Sequence, residues 1–203
     1  MSDPRRSVAG MNLPKRHSGR RHDPGCADCA EEEAGQPADR VAYMNWITEQ
    51  IGTHGWAVSG IQGNEQTPPW AYSVGMWLTC QSVELVVCGP PLENSAGLIN
   101  AIGARLADGD EIGPDDVLDD ICPARLTLRP VDMSWRMTSM FTVSDQFYGF
   151  VRPPYLQVVW ADTNGRFPWE PRFQTTFEGL QPLLWLPRDD NPPSPWTRAG
   201  TLS

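Results

Sequence analysis

Four residues in the N-terminal part of the chain have the types and the spacing of zinc ligands. They are His17, His22, Cys26 and Cys29, in the pattern H-x4-H-x3-C-x2-C. Structural Zn²⁺ is held by four nitrogen and sulfur ligands in a tetrahedron, and such a closed set leaves no position for a reacting water. The pattern predicts a structural zinc knuckle. The alternative is that two thiols and two imidazoles of a solvated segment never meet.

The remaining cysteines allow a second version of the zinc site and also bear on location. Cys26 and Cys29 could be joined by one of Cys80, Cys88 or Cys122. An odd number of cysteines without an export signal is typical of a reducing cytoplasm, so we expect a cytoplasmic protein. No run approaches the roughly 20 apolar residues of a membrane span, and no membrane partner is expected. A redox role is less favoured, since the C-x2-C pair lacks the strand-to-helix setting that lowers a thiol pKa.

A second set of polar residues could carry acid–base chemistry. It consists of Tyr72, Ser73, Glu84, Asp162 and Glu170. Two carboxylates and a tyrosine in one cleft could exchange protons with a substrate. Tyr72, Glu84, Asp162 and Glu170 are therefore catalytic candidates for an enzyme acting on a small molecule or a peptide. Their spacing does not show that they converge, so the sequence leaves open whether the chain is an enzyme.

Glu84 and Asp162 also have structural interpretations. Glu84 lies inside an apolar strand, where an unpaired carboxylate is costly, so it should lie at an edge, be paired, or be functional. Arg129 or Arg166 is the natural partner, and we favour this pairing. Asp162 begins the turn Asp-Thr-Asn-Gly and should accept backbone N–H bonds there.

Nucleophilic catalysis and nucleotide binding have little support in the sequence. His54 is the one histidine after residue 22, and it follows a predicted helix in a Gly-Thr-His-Gly turn. No G-x-S-x-G motif is present, so a Ser–His–acid or Cys–His arrangement would have to recruit His54. A phosphate-binding glycine loop and a dinucleotide fingerprint are also lacking.

Aromatic residues are the most distinctive feature of the composition, with 9 Trp in 203 residues. We expect most of them in the core and some at a binding surface, because Trp serves both roles. The predicted ligand-binding residues are Trp70, Tyr72, Trp160 and Trp169, and the run 167–169 (Phe-Pro-Trp) is predicted to line a pocket. These residues favour a binding or interaction module with an unidentified protein or small-molecule partner over the enzyme.

Charge is distributed unevenly along the chain, whose formal net charge is −9. Six basic residues and one acid, Asp3, occupy residues 1–22; the basic residues are Arg5, Arg6, Lys15, Arg16, Arg20 and Arg21. The rest of the chain is acidic, which argues against a nucleic-acid-binding domain. Nucleic acid would have to be bound through the basic arm, and the simpler expectation is a solvated tail.

Hydrophobic periodicity predicts the elements that position these residues. Helical spacing predicts helices over 39–52 and 93–107 and a short one over 135–141. Strands are predicted over 56–61, 70–77, 83–88, 124–131 and 155–160, and 108–120 as an acidic loop. This order predicts an α+β domain with two or three helices packed on one face of a mainly antiparallel sheet. We expect a disordered basic arm over 1–38, the domain over 39–186 and a loose Pro-rich tail over 187–203.

One predicted strand alternates large and small residues. With a period of two, Trp70, Tyr72, Val74 and Met76 share one face. The other face carries Ala71, Ser73 and Gly75, and small residues there would let a helix or a ligand approach closely.

Several of these runs resemble, in order, a family known as domain of unknown function 4262. The runs are 69–76 (PWAYSVGM), 84–89 (ELVVCG), 98–100 (LIN), 109–111 (GDE), 156–162 (LQVVWAD) and 165–170 (GRFPWE). The resemblance spans residues 55–184 and implies a shared fold and a bacterial source. It implies no reaction or ligand. The sequence departs from the family pattern at Ala161, where a proline is expected.

Overall fold

The computed structural model describes residues 27–65, 67–149 and 151–198 and Leu202, with side chains described from residue 39 onward. The chain divides into two units, Met1–Arg40 and Val41–Ser203. The described helices are α1 (Ala27–His54), α2 (Met76–Thr79), α3 (Leu92–Ala107), α4 (Met133–Arg136) and α5 (Thr142–Tyr148). Short 3₁₀ helices cover Ser139–Phe141, Thr175–Phe177 and Arg188–Asp190. The strands are β1 (Ala57–Ile61), β2 (Trp70–Val74), β3 (Glu84–Cys88), β4 (Val117–Leu118), β5 (Leu126–Pro130) and β6 (Tyr155–Trp160).

The six strands form one sheet in the order β1-β2-β3-β6-β5-β4. Four of its pairings are antiparallel, and β3 runs parallel to β6 at its centre. The α+β class is confirmed, and the sheet is mixed. The parallel pair arises because the chain leaves β3 through α3, builds β5 at a distance, and returns to place β6 between β3 and β5.

Both faces of the sheet are covered, which corrects the prediction of helices on one face only. One face carries Leu85 and Val87 and packs against Ile99 and Ile102 of α3. The opposite face carries Tyr72, Val74 and Val86, and it packs against Ile47 of α1, Trp135 of α4 and Phe141. The reason is visible in β3, whose residues are all buried. A strand that is apolar on both faces needs a covering layer on each.

The short elements around the sheet differ from those expected. The predicted helix over 39–52 begins at Ala27, in a stretch rich in alanine and glutamate that favours helix without showing an apolar period. The predicted helix over 135–141 is divided among α4, a 3₁₀ turn and α5. The acidic loop contains β4, which pairs with β5.

The predicted strand over 70–77 ends early, and this changes the position of Met76. Gly75 has φ +116° and turns the chain out of β2 into α2. Met76 consequently packs with Ala71 and α3, on the face opposite Trp70 and Tyr72. The small side chain of Ala71 does face a helix there, as the alternation predicted.

Residues 187–198 were expected to form a loose tail, but the structure packs them into the domain. Trp196 is fully buried, meets Trp70 edge to face, and donates its indole N–H to the carbonyl of Gly179 at 2.9 Å. Leu202 is also buried in this core. The Pro-rich sequence of this segment does not reveal its packing, because the residue that anchors it is a single tryptophan without a hydrophobic period around it.

Side-chain amides attach the segment before Trp196 to the sheet. Gln157 of β6 donates to the carbonyl of Pro182 and accepts from the N–H of Leu184. Gln181 bonds both the N–H and the carbonyl of Trp160, and Asn191 bonds both backbone groups of Leu183. These amides replace the backbone pairing that an added strand would make.

We predict that Trp196→Ala destabilises the domain by about 3–5 kcal/mol, the usual cost of truncating a buried tryptophan. Trp46→Ala is the matched control, since Trp46 is 40% exposed on α1. Urea unfolding of both variants measures the difference. If Trp196→Ala lowers the unfolding free energy no more than Trp46→Ala does, the contribution of residues 187–198 to the core is contradicted.

Candidate functional site

Glu84 is a fully buried carboxylate at the start of the central strand β3. One of its oxygens accepts the backbone N–H groups of Gly75 at 2.8 Å and Trp77 at 3.1 Å and the phenol of Tyr148. The other accepts the hydroxyl of Ser73. Charge-assisted bonds to a buried carboxylate are stronger than neutral ones and offset its loss of hydration.

The donors converge on Glu84 because of the turn at Gly75. Its positive φ starts α2 immediately after β2, so the first N–H groups of α2 point at the neighbouring strand. A Cβ at this position would lie 2.8 Å from Ile51 Cγ1 and 3.1 Å from the Gly55 carbonyl oxygen. Glycine is therefore required by conformation and by space.

The expected arginine partners of Glu84 bind elsewhere, which corrects that prediction. Arg129 pairs with Asp115 and lies over the Trp169 ring, and Arg166 donates to the carbonyl of Arg172. The backbone of α2 and two hydroxyls perform the role that the sequence assigned to a guanidinium.

Three tyrosines surround this network as neutral donors or acceptors. Burial, followed by the charge of Glu84, raises the pKa of Tyr148 and of Tyr155. Burial also raises the pKa of Tyr72 to about 12. Tyr155 donates to the Ser73 carbonyl at 2.8 Å, while the Tyr72 oxygen accepts the Val143 N–H at 3.1 Å. These phenols therefore stay protonated near neutral pH.

A second buried charge, Arg136 of α4, lies on the other side of Tyr155. Its guanidinium carbon is 4.5 Å from the centre of the Phe141 ring and 4.6 Å from that of Tyr155. Nη2 of Arg136 donates a hydrogen bond to Oδ1 of Asp145 at 3.1 Å. Nε and Nη1 are buried and have no hydrogen-bond acceptor among the described residues.

Arg136 lines a pocket of about 400 Å³. Its other lining residues, mainly apolar, are Val83, Ile112, Gly113, Pro114, Pro130, Val131, Met133, Arg152, Pro153, Pro154, Tyr155 and Leu156. Among the described residues that line it, the charged ones are Arg136 and Arg152. A concave apolar pocket with a few polar groups is the usual form of a small-molecule site.

The predicted catalytic set is not assembled in one place. Asp162 follows the far end of β6, whose Tyr155 is level with Glu84. At about 3.3 Å per residue, Trp160 alone is already some 16 Å along the strand from that level. Asp162 accepts N–H groups of Asn164, Arg166 and Gln174, as its turn predicted.

The two distant carboxylates are both bound to backbone. Burial alone would raise the pKa of Asp162, but N–H donation more than offsets this and the pKa is lowered. Glu170 accepts the N–H of Phe167 at 2.6 Å. Of the predicted polar set, the structure brings together Ser73 and Glu84, with Tyr72 in the adjoining core.

The predicted aromatic ligand-binding residues are also dispersed. Trp70 and Tyr72 are buried on one face, while Trp160 packs toward the other and donates to the Cys88 carbonyl. Trp169 is 41% exposed and stacks on Phe167, and a binding role for these residues stays a prediction. Pro168, between them in sequence, borders a separate hollow of about 640 Å³ that includes Phe173 and Phe177.

The zinc prediction falls mainly outside the described residues. His17, His22 and Cys26 lie outside them, and Cys29 is described only as helical backbone in α1. Cys88, proposed for the second version, is fully buried, and burial raises its pKa. Among the described side chains, no group of three or more His, Cys, Asp or Glu is placed to hold a metal.

Arg136, Asp145 and Tyr148 are the residues that sequence reasoning missed. One signal was present: Arg136 interrupts the run Met-Ser-Trp-Arg-Met, where a charge must be exposed or paired. Tyr148 and Asp145 carried no comparable signal, because their importance depends on how α5 packs against β2.

A family model described as Domain of unknown function (DUF4262) matches residues 50–174, more than half of the chain. Comparison with curated proteins finds no match, and comparison with solved structures finds none either. Within the described part of the chain, no helix has both the length and the apolar character needed to cross a membrane.

We predict that Gly75→Ala destabilises the domain by about 1–3 kcal/mol, the cost of a strained positive φ. Gly97→Ala is the control, since a Cβ there meets nothing within 4 Å and alanine favours the helix α3. Chemical denaturation should show a loss for the first variant and no loss for the second. A neutral Gly75→Ala would contradict the role assigned to the turn.

Stability should fall as the pH rises from about 10 to about 12. The folded-state pKa of Tyr72 is raised, so its contribution is fully present below pH about 10 and is lost as pH rises towards about 12. At 1.36 kcal/mol per unit, Tyr72 alone contributes roughly 2–3 kcal/mol to this fall. Tyr72→Phe should show a shallower decline in unfolding free energy across this range. An unchanged slope would contradict the assignment.

Proposed function

The chain belongs to the DUF4262 family, and we propose that it is a binding module for a small organic anion, held at Arg136. The family description names no activity, so the proposal rests on the geometry of the pocket. The observation that carries it is a buried guanidinium with two nitrogens unpaired within the described structure.

The unpaired nitrogens imply a missing acceptor. An arginine offers five N–H donors, and leaving a buried donor unsatisfied costs about 1–3 kcal/mol. The neighbouring rings of Phe141 and Tyr155 compensate the positive charge in part, because ring faces attract cations. They provide no acceptor in the guanidinium plane. A carboxylate or a phosphate in the pocket would supply one if the side chains that cover these two buried nitrogens moved aside.

The charge around the pocket supports an anionic ligand. The chain as a whole carries a net charge of −9, yet the described charged residues lining this pocket are arginines. Asp145 pairs with Arg136 but does not line the cavity. Two arginines in the lining of one pocket would favour an anion at this position.

The alternative function, an enzyme with a tyrosine and carboxylate cleft, has less support. Both oxygens of Glu84 already accept hydrogen bonds, and Tyr148 uses its proton for one of them. A general base must reach the proton it removes, directly or through one water. Asp162 follows the far end of β6 from this network, and both Asp162 and Glu170 are bound to backbone N–H groups.

We predict that butyrate and inorganic phosphate, used as separate probes, shift the ¹H–¹⁵N resonance of Arg136 Nε–H in the full chain in a saturable way. Arg152→Gln should weaken this binding by about twofold to fivefold, the usual effect of one exposed charge. Arg125→Gln is the matched control, because Arg125 is a half-exposed arginine paired with Asp119 and does not line the pocket.

Two results would overturn the proposal. One is the lack of a saturable shift with either probe. The other is equal weakening by Arg125→Gln and Arg152→Gln, which would indicate attraction to the surface as a whole. Arg136→Lys tests the site directly, since it keeps the charge but loses donors, and circular dichroism would establish whether it folds. If Arg136→Lys does not fold, the shift of the wild-type Arg136 resonance and the binding to Arg152→Gln still test the proposal.

A further inference from the structure

We infer that the ligand is amphipathic: a carboxylate or phosphate head at Arg136 continues into an unbranched alkyl chain that leaves the pocket over Met133, Met137 and Val151. This inference rests on the proposed function and goes beyond it, because it assigns the part of the ligand that the pocket does not enclose.

Three exposed apolar side chains lie at the pocket or next to its lining residues in contact or in sequence, and we call them its rim. Met133, Met137 and Val151 are 57%, 65% and 47% exposed. They are three of the eight large hydrophobic side chains that are exposed in the described part of the chain. Single exposed hydrophobic residues are normal, but adjoining ones mark binding surfaces.

Two of these residues are connected to the pocket by contacts, and Val151 is connected to it by its place in the chain. Met133 is itself a lining residue, and so is Arg152. Arg152 Nη1 donates to the sulfur of Met137, and Val151 precedes it in the chain. The rim therefore runs from Met133 past the charged Arg152 to Met137.

The residue types favour a flexible chain over a rigid ring. The pocket lining includes Pro114, Pro130, Pro153 and Pro154, whose backbones are stiff. The outer rim carries methionines, whose unbranched side chains adapt to irregular apolar ligands. A rigid cavity with an adaptable apolar exit suits a fixed anionic head followed by a chain of variable course.

The test compares butyrate, octanoate, octyl phosphate and octanol, each below its critical micelle concentration, by calorimetry on the full chain. Each methylene that leaves water should tighten binding by about threefold to fourfold, so octanoate should bind at least about tenfold more tightly than butyrate. Octanol should bind more weakly than octanoate, since it lacks the charge. Comparing octanoate with octyl phosphate identifies the head group.

Variants of the rim give an independent readout. Met133→Gln and Met137→Gln should each weaken octanoate binding severalfold, and Met137→Gln, which lies outside the pocket lining, should leave butyrate binding unchanged. Leu78→Gln is the matched control, since Leu78 is 53% exposed but lies outside the pocket. Binding octanoate should also slow peroxide oxidation of Met133 and Met137, measured by mass spectrometry, relative to Met44.

The outcomes separate this inference from the proposed function. If butyrate and octanoate bind equally and the methionine variants bind both normally, the amphipathic ligand is excluded while the anion site stands. If octanol binds as tightly as octanoate, the site is simply apolar and both proposals fail. If none of the probes binds, both proposals fail as well.

Discussion

The structure depends on solving one electrostatic problem, the burial of the Glu84 carboxylate at the centre of the sheet. A carboxylate removed from water must find several donors, and an unpaired one would cost more than the domain can spare. Ser73 of β2, the N–H groups at the start of α2 and Tyr148 of α5 supply them. The position of α2, the glycine at its start and the packing of α5 on β2 all follow from this requirement.

Arg136 presents the same problem with a different outcome. Glu84 is satisfied by donors from three elements, whereas Arg136 contacts one carboxylate and two ring faces, and two of its nitrogens have no acceptor in the part of the chain that the structure describes. Tyr155 touches both systems, since its hydroxyl bonds the Ser73 carbonyl and its ring lies against Arg136. Glu84, whose two oxygens both accept hydrogen bonds, stabilises the fold. Arg136, which has unpaired nitrogens in the described structure, is where we propose that a ligand binds.

Periodicity predicted what depends on local sequence, and failed where distant segments decide. The strands β3 and β6 and the helix α3 were predicted to within a residue or two, because apolar runs with turn signals mark them. The α+β class followed from their order. The parallel pairing of β3 with β6 could not be predicted, since it depends on where the chain returns after β5.

The candidate site likewise combines features that local sequence predicts with features that depend on distant segments. The burial of Glu84 could be inferred from its apolar neighbours, and so could the capping role of Asp162 in its turn. The partners of Glu84 could not, because the turn at Gly75 presents backbone N–H groups that no side-chain pattern records. The pocket at Arg136 joins α4, β5, β6 and the residues before β3 and β4, which are far apart in sequence.

The burial of Trp196 has a consequence for how the chain folds during synthesis. Trp196 belongs to a core in which most other members, Trp70 and Trp135 among them, are made much earlier. Until that residue leaves the ribosome, the sheet face that it covers stays open to water and to other chains. Contacts between residues so distant in sequence also form slowly, because loop closure must come first. The nascent domain therefore has a vulnerable interval between the synthesis of the sheet and that of Trp196, in which a chaperone that recognises exposed aromatic surface would be of most use.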